Sequence, residues 1–277
     1  MKKLAAILAL ASLVSAAPLD IFAPLIDGQW NSVARFPDGQ EIRSRTVWLW
    51  GADKQTVRMR RFVLGKEGEV ERYQTVLFHD AKNKQIAYRV FTAAGSSARG
   101  VAFVKDGEVI LEQAATKTFP GMRNGFRVGA EKKKCTTRTW LHGKQGWKLR
   151  GESASVREKL TPAKKLPVGG DANPLAGLEP ISKLKGWKWS MHKRLLYGPS
   201  FRSGEVYISF EPKGGVLLFL YVKEKGGVTE GTVKIETKTR FVFNHSKTKR
   251  TVAEVESPEK HAVWDERKGD SGWEKIK

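Results

Sequence analysis

Along most of the chain, apolar and polar residues alternate in runs of five to nine, rich in Val, Ile, Phe, Tyr, Trp and Thr and separated by Gly, Asp, Asn and Lys. That pattern predicts half-buried strands, and helical spacing is scarce. Thr46–Trp50 turns at Gly51-Ala52-Asp53 into Thr56–Leu64, and Arg72–Phe78 turns through His79 to Lys84 into Gln85–Phe91. Gly100–Val104 turns at Lys105-Asp106-Gly107 into Glu108–Leu111. Asp-Gly is a strong hairpin signal, because both central positions of a type I′ turn need positive φ. Arg123–Val128, Thr136–Leu141 and Trp147–Gly151 read as further strands. Pro18–Ile26 and Pro174–Leu184 are the exceptions, two short helical or irregular lead-ins.

After residue 173 the pattern restarts. Leu25-Ile26-Asp27-Gly28-Gln29-Trp30 and Leu184-Lys185-Gly186-Trp187-Lys188-Trp189 share a five-residue step from Leu to Trp. Glu205–Phe210 turns into Val216–Val222 as Arg72–Phe78 turns into Gln85–Phe91. Gly231–Ile235 answers Gly100–Val104, Arg240–Asn244 answers Glu108–Leu111, and Gly272-Trp273 answers Gly146-Trp147. An ordered series of this kind predicts an internal duplication. Thr161 to Asn173 has no periodicity and is rich in Pro, Gly and Lys, as linkers are. The expected organisation is a leader over 1–17, a β-barrel over 18–160, a linker over 161–173 and a second, shorter β module over 174–277.

Composition adds a compartment and a charge. Lys2 and Lys3, the apolar run Leu4 to Val14 and the small residues Ser15-Ala16-Ala17 read as a signal peptide cleaved before Pro18. Its apolar run is too short to span a bilayer, so the mature chain is expected to be exported, to periplasm or medium, without a transmembrane segment. The 50 Lys plus Arg against 29 Asp plus Glu give a formal charge of +21, and loss of Lys2 and Lys3 lowers it by two. Such a balance favours anionic partners: lipopolysaccharide, phospholipid headgroups, acidic glycans or nucleic acid. The charge is spread over both halves, so a solvated basic surface remains the alternative, and no specific nucleic-acid motif stands out. Cys135 has no partner cysteine, which excludes an intramolecular disulfide.

The Leu-x-x-Gly-x-Trp lead-in, the hairpin from Tyr73 to Tyr88, the glycine-started strand at Gly100 and the closing Gly146-Trp147-Lys148-Leu149 resemble a calycin-type barrel. Within that group their order is similar to the uncharacterised lipocalin-like families of bacterial exported proteins, of the DUF1579 kind. The resemblance implies an all-β fold of two consecutive antiparallel lipocalin-like modules, the second smaller or incompletely closed. It also implies a barrel floor at Gly28 and Trp30, echoed at Gly186 and Trp189, with a basic side chain from the closing strand, Lys148 or Arg150, over the indole. Related haem-binding barrels continue Gly-x-Trp with further glycines; Asn31-Ser32-Val33-Ala34 stands here instead, and no cofactor is expected.

Catalytic signals are missing. His79, His142, His192, His245 and His261 have no metal-ligand spacing, and there is no nucleophile elbow, phosphate loop or His-Glu-x-x-His. Glu67, Glu69 and Glu71 alternate on one face, where mutual repulsion predicts a solvated row. Binding is better supported. Trp48 and Trp50 share a strand face, Arg58 and Arg60 share another, and Tyr88 lies in a later strand. If these line a cavity, they suit a ligand with an apolar body and an anionic end; otherwise they are core. The expected function is a non-enzymatic, exported binding protein holding a small amphiphile, the alternative a polyanion-binding envelope protein.

Overall fold

The computed structural model describes residues 17–35, 41–51, 54–65, 68–93, 97–116, 120–160, 178–190, 195–199, 204–210, 217–257 and 259–276. Residues 1–16 of the expected leader and the whole expected linker lie outside these residues. A 3-10 helix, Pro18–Leu25, leads into β1 (Gly28–Arg35), β2 (Glu41–Trp50), β3 (Thr56–Gly65), β4 (Gly68–Asp80) and β5 (Gln85–Thr92). Then come β6 (Ser97–Lys105), β7 (Glu108–Gln113), β8 (Met122–Val128), β9 (Lys134–Gly143) and β10 (Gly146–Glu158). Every neighbouring pair is antiparallel, and β1 pairs with both β2 and β10, so the ten strands close into a barrel.

Strand alternation sets the interior. Trp30, Trp48, Val57, Met59, Leu77, Tyr88, Ala102, Leu111 and Phe126 face inward and form one apolar cluster with Leu19, Phe22 and Leu25 of the 3-10 helix. Phe22 stacks on Trp48 at 5.8 Å, and Phe126 meets the same indole edge-on at 5.2 Å. The helix therefore plugs the end of the barrel from which β1 starts. A bulge between Arg61 and Phe62 shifts the β3–β4 register. Beside it the outer face buries charge instead of exposing it. Glu71 is 4% exposed and takes a bidentate pair from Arg60 at 2.9 Å, and Glu69 pairs with Arg45. The solvated glutamate row expected from the sequence is thus half of a set of ion pairs, and Glu67 lies outside the described residues.

After the short helix α1 (Glu179–Ser182) comes a second sheet: β11 (Lys188–Ser190), β12 (Leu195–Pro199), β13 (Glu205–Phe210), β14 (Leu217–Val222) and β15 (Val228–Ile235). It continues with β16 (Arg240–Asn244), β17 (Lys249–Val255), β18 (His261–Gly269) and β19 (Gly272–Ile276). Among the described residues this nine-stranded sheet runs in simple meander order and does not close.

Register relates the two sheets. Tyr88 faces Gly100 as Phe219 faces Gly231. A Cβ at Gly100 would strike the Tyr88 ring and the Glu112 carbonyl; one at Gly231 would strike the Phe219 ring and the Asn244 carbonyl. Counting outward from these pairs maps β11–β19 onto β2–β10, and Trp187 and Trp189 fall on Trp48 and Trp50. The expected match of Trp189 to Trp30 is therefore displaced, although that of Leu184 to Leu25 fits the plugs. Leu178, Ile181 and Leu184 repeat the three-residue spacing of Leu19, Phe22 and Leu25, and both sets are buried. Leu25 precedes Trp48 by 23 residues and Leu184 precedes Trp187 by three, a deficit of 20. Those residues are β1 and most of β2. The second module lacks the strand that closes the first.

The modules meet through outer faces. Val76, Phe78, Ala87 and Phe91 of β4 and β5 pack on Leu195, Tyr207, Leu220 and Val222 of β12–β14. Inside this contact Glu205 accepts hydrogen bonds from Thr56 and, at 2.9 Å, from Tyr207. Arg89 pairs with Glu230 beside it.

Candidate functional site

The floor of the first barrel is built around Trp30. Its Nε1 donates to the Leu25 carbonyl at 2.8 Å, tying the indole to the plug. The basic side chain over the ring is Arg157, 5.5 Å from the centroid, with Nη2 donating to the Ile26 carbonyl at 2.5 Å. Lys148 and Arg150, proposed for this place, sit exposed at the opposite end of β10. The long strand explains the difference: it starts at the far rim and reaches Trp30 only at Arg157, its register partner. Gly28 makes room, since a Cβ there would come within 2.6 Å of the Arg157 Nε. The positive φ of the turn belongs to Asp27, at 64°. In the second module Gly186 has a positive φ of 88° and Trp189 packs against the interior cluster.

The five side chains assigned to a ligand do not converge. Trp48 and Tyr88 are 1% and 3% exposed in the packed cluster, and Trp50 packs against it. Burial pushes the Tyr88 phenol well above its ordinary pKa. Arg58 and Arg60 face the other way. Arg58 lies over Tyr197 of the second module at 4.6 Å, and Arg60 holds Glu71. Inward and outward residues of one strand cannot serve one pocket.

The second module does contain a cavity, of about 350 Å³. Trp187, Val206, Phe219, Tyr221, Phe243 and Val263 supply apolar walls, and Lys223, Lys225 and Lys249 stand among the polar lining. Its volume falls within the range of small-ligand sites. A hydrogen-bonded row crosses one wall. The Thr251 hydroxyl donates to Asp265 Oδ1 at 2.6 Å, and His245 Nε2 lies 2.7 Å from Thr251 Oγ1. A hydroxyl has one proton to give, so His245 donates from Nε2. His245 also meets the Phe219 ring edge-on at 5.2 Å. Sequence reasoning missed this site because His245, Thr251 and Asp265 come from three strand positions with no short spacing. The one available signal was the sequence repeat, which points to interior positions once register is known. One difference enlarges the interior: the register places Ala253 where the first barrel has Phe126. Among the described residues no group of three His, Cys, Asp or Glu could hold a metal ion, and no helix is long and apolar enough to cross a membrane.

No protein-family model and no curated protein matches the chain. Among solved structures, a protein of unknown function from the DUF3598 family of Nostoc punctiforme is similar over 90% of this chain and 82% of its own, at 16% identity and a TM-score of 0.31. A likeness that remote carries no argument about ligand or activity.

Proposed function

We propose that the protein is an exported, non-enzymatic binding protein of lipocalin-like kinship, and that its second module holds a small amphiphile. The cavity carries this reading: apolar walls of Trp187, Phe219 and Phe243, with three lysines, Lys223, Lys225 and Lys249, against Glu224 and Asp265, fit an apolar body ending in an anion. The kinship rests on the plugged barrel and the Trp30–Arg157 floor. An anilinonaphthalene sulfonate probe, apolar with one sulfonate, tests the site. It is expected to gain fluorescence with the native chain and to bind about tenfold or more weakly in Val263→Phe, the equivalent of losing roughly 1.4 kcal/mol. Lys249→Glu is expected to weaken it in a salt-dependent way. Equal binding in all three proteins overturns the proposal.

The alternative, polyanion binding at an envelope surface, draws on the +21 charge. Many arginines are already matched by carboxylates, among them Arg45, Arg60, Arg123, Arg138, Arg240 and Arg250. The free field therefore comes mainly from lysines, which favours weak, salt-sensitive adhesion over a shaped site.

A further inference from the structure

Toward the rim where β1 ends, polar side chains join the inward set among apolar ones such as Ile42 and Val63, and neighbouring strands link them. Ser32 and Ser44 share a hydrogen bond at 2.8 Å, and Thr139 donates to Asn124 at 2.9 Å. Most of these side chains face inward and are partly exposed.

Apart from Lys148, exposed at the rim opposite Leu141, one charge sits among them. Arg61 pairs in register with Thr46, which faces inward beside Trp48, and its Nη2 donates to Ser44 Oγ at 3.2 Å. The neighbouring arginines Arg45 and Arg60 point outward, onto Glu69 and Glu71. No Asp or Glu of the paired barrel strands occupies an inward position among the described residues. A second feature points the same way. Thr75, inward across from Met59 and one inward step from Tyr73, the partner of Arg61, is 1% exposed, and its hydroxyl has no hydrogen-bond partner. A guanidinium turned inward among serine, threonine and asparagine side chains without a carboxylate, near an unanswered hydroxyl, leaves donors for an oxyanion.

We propose that these inward side chains form a second binding site, for a small hydroxylated anion whose carboxylate or phosphate oxygens take the Arg61 guanidinium and whose hydroxyls meet the serine, threonine and asparagine side chains. The planar fork of arginine fits either oxyanion. The site is independent of the apolar cavity in the second module and differs from it in ligand class.

Calorimetric titration of the full chain with gluconate and with glycerol 3-phosphate tests the proposal and separates carboxylate from phosphate, with glycerol as the uncharged control. At least one of the two anions is expected to bind, and glycerol is not. Arg61→Met, which keeps length and removes charge, is expected to weaken binding about tenfold to a hundredfold, the worth of a hydrogen bond to a charged group. Thr75→Val, nearly isosteric, keeps the fold and lowers affinity by a few fold. Val263→Phe in the other module leaves this titration unchanged, so failure of one site is distinguishable from failure of the other. Absence of binding by both anions, equal binding by glycerol, or unchanged affinity in Arg61→Met overturns the proposal.

Discussion

The two modules use one ladder for opposite ends. Strands β3–β10 and β12–β19 share register, the glycine–aromatic pairs at Gly100 and Gly231, and hydrophobic plugs of the same spacing. The first has β1, and with it a closed ring, a filled apolar floor and polar inward side chains around Arg61. The second lacks that strand and keeps an apolar cavity with a His–Thr–Asp row. Single interior positions follow suit: Phe126 against Ala253, and Asn124 with Thr139 against Thr251 with Asp265. The lesson is that closure and interior chemistry are separable. Register fixes which positions look inward, and the residue at each then decides whether the space is filled, polar or apolar.

Trp30→Ala is the hardest test of the difference. It removes a buried ring from the strand that closes the barrel and is expected to cost about 3–5 kcal/mol in denaturant unfolding. Trp189→Ala, in the open sheet and only half-buried, should cost less than half as much; equal losses would deny that β1 sets the two modules apart. The shared ladder is tested next. Gly100→Ala and Gly231→Ala each drive a Cβ into a cross-strand ring and a carbonyl, and each is expected to cost about 1–3 kcal/mol. A loss at one site alone would break the correspondence.

The smallest effect concerns pH. Burial raises the Cys135 thiol to about 11. The folded state therefore holds this proton more tightly than the unfolded chain, whose thiol titrates near pH 8.5. The associated stability is complete below that pH and is lost as pH climbs toward 11. Alkylation with a neutral maleimide at pH 8 should be slow in the native protein and fast after unfolding. Rapid native labelling would place the thiol in solvent.

Much of the fold was legible in the residues. Arg240–Asn244 matches β16 to the residue, and the Asp106-Gly107 turn joins β6 and β7 as its composition demands. The first lead-in was visible because Pro and three-residue apolar spacing break the strand pattern, and the described part of the second, from Leu178 to Leu184, repeats that spacing. The misplaced parts share a cause: they depend on what lies across from a residue. The step from Leu to Trp is the same length in both copies, so counting along the chain matched Trp189 to Trp30, while cross-strand pairing puts it on Trp50. Arg157 was missed over Trp30 because the strand bearing it is longer than its Gly-Trp start suggested. Glu71 is buried because a bulge and Arg60 bring charge to charge. The cavity was illegible for the same reason, since Trp187, His245 and Asp265 meet only after the strands from β11 to β18 are laid side by side.

The short β19 has a consequence for what the second module can hold. A ring of hydrogen-bonded strands has a fixed circumference, and swelling it means breaking a ladder. A sheet with two unjoined edges resembles a cuff, whose margins part or draw together while every rung stays intact. The first module is thus a vessel of set bore, and the proposed site of the second lies in an adjustable sleeve, whose bore can change at small elastic cost.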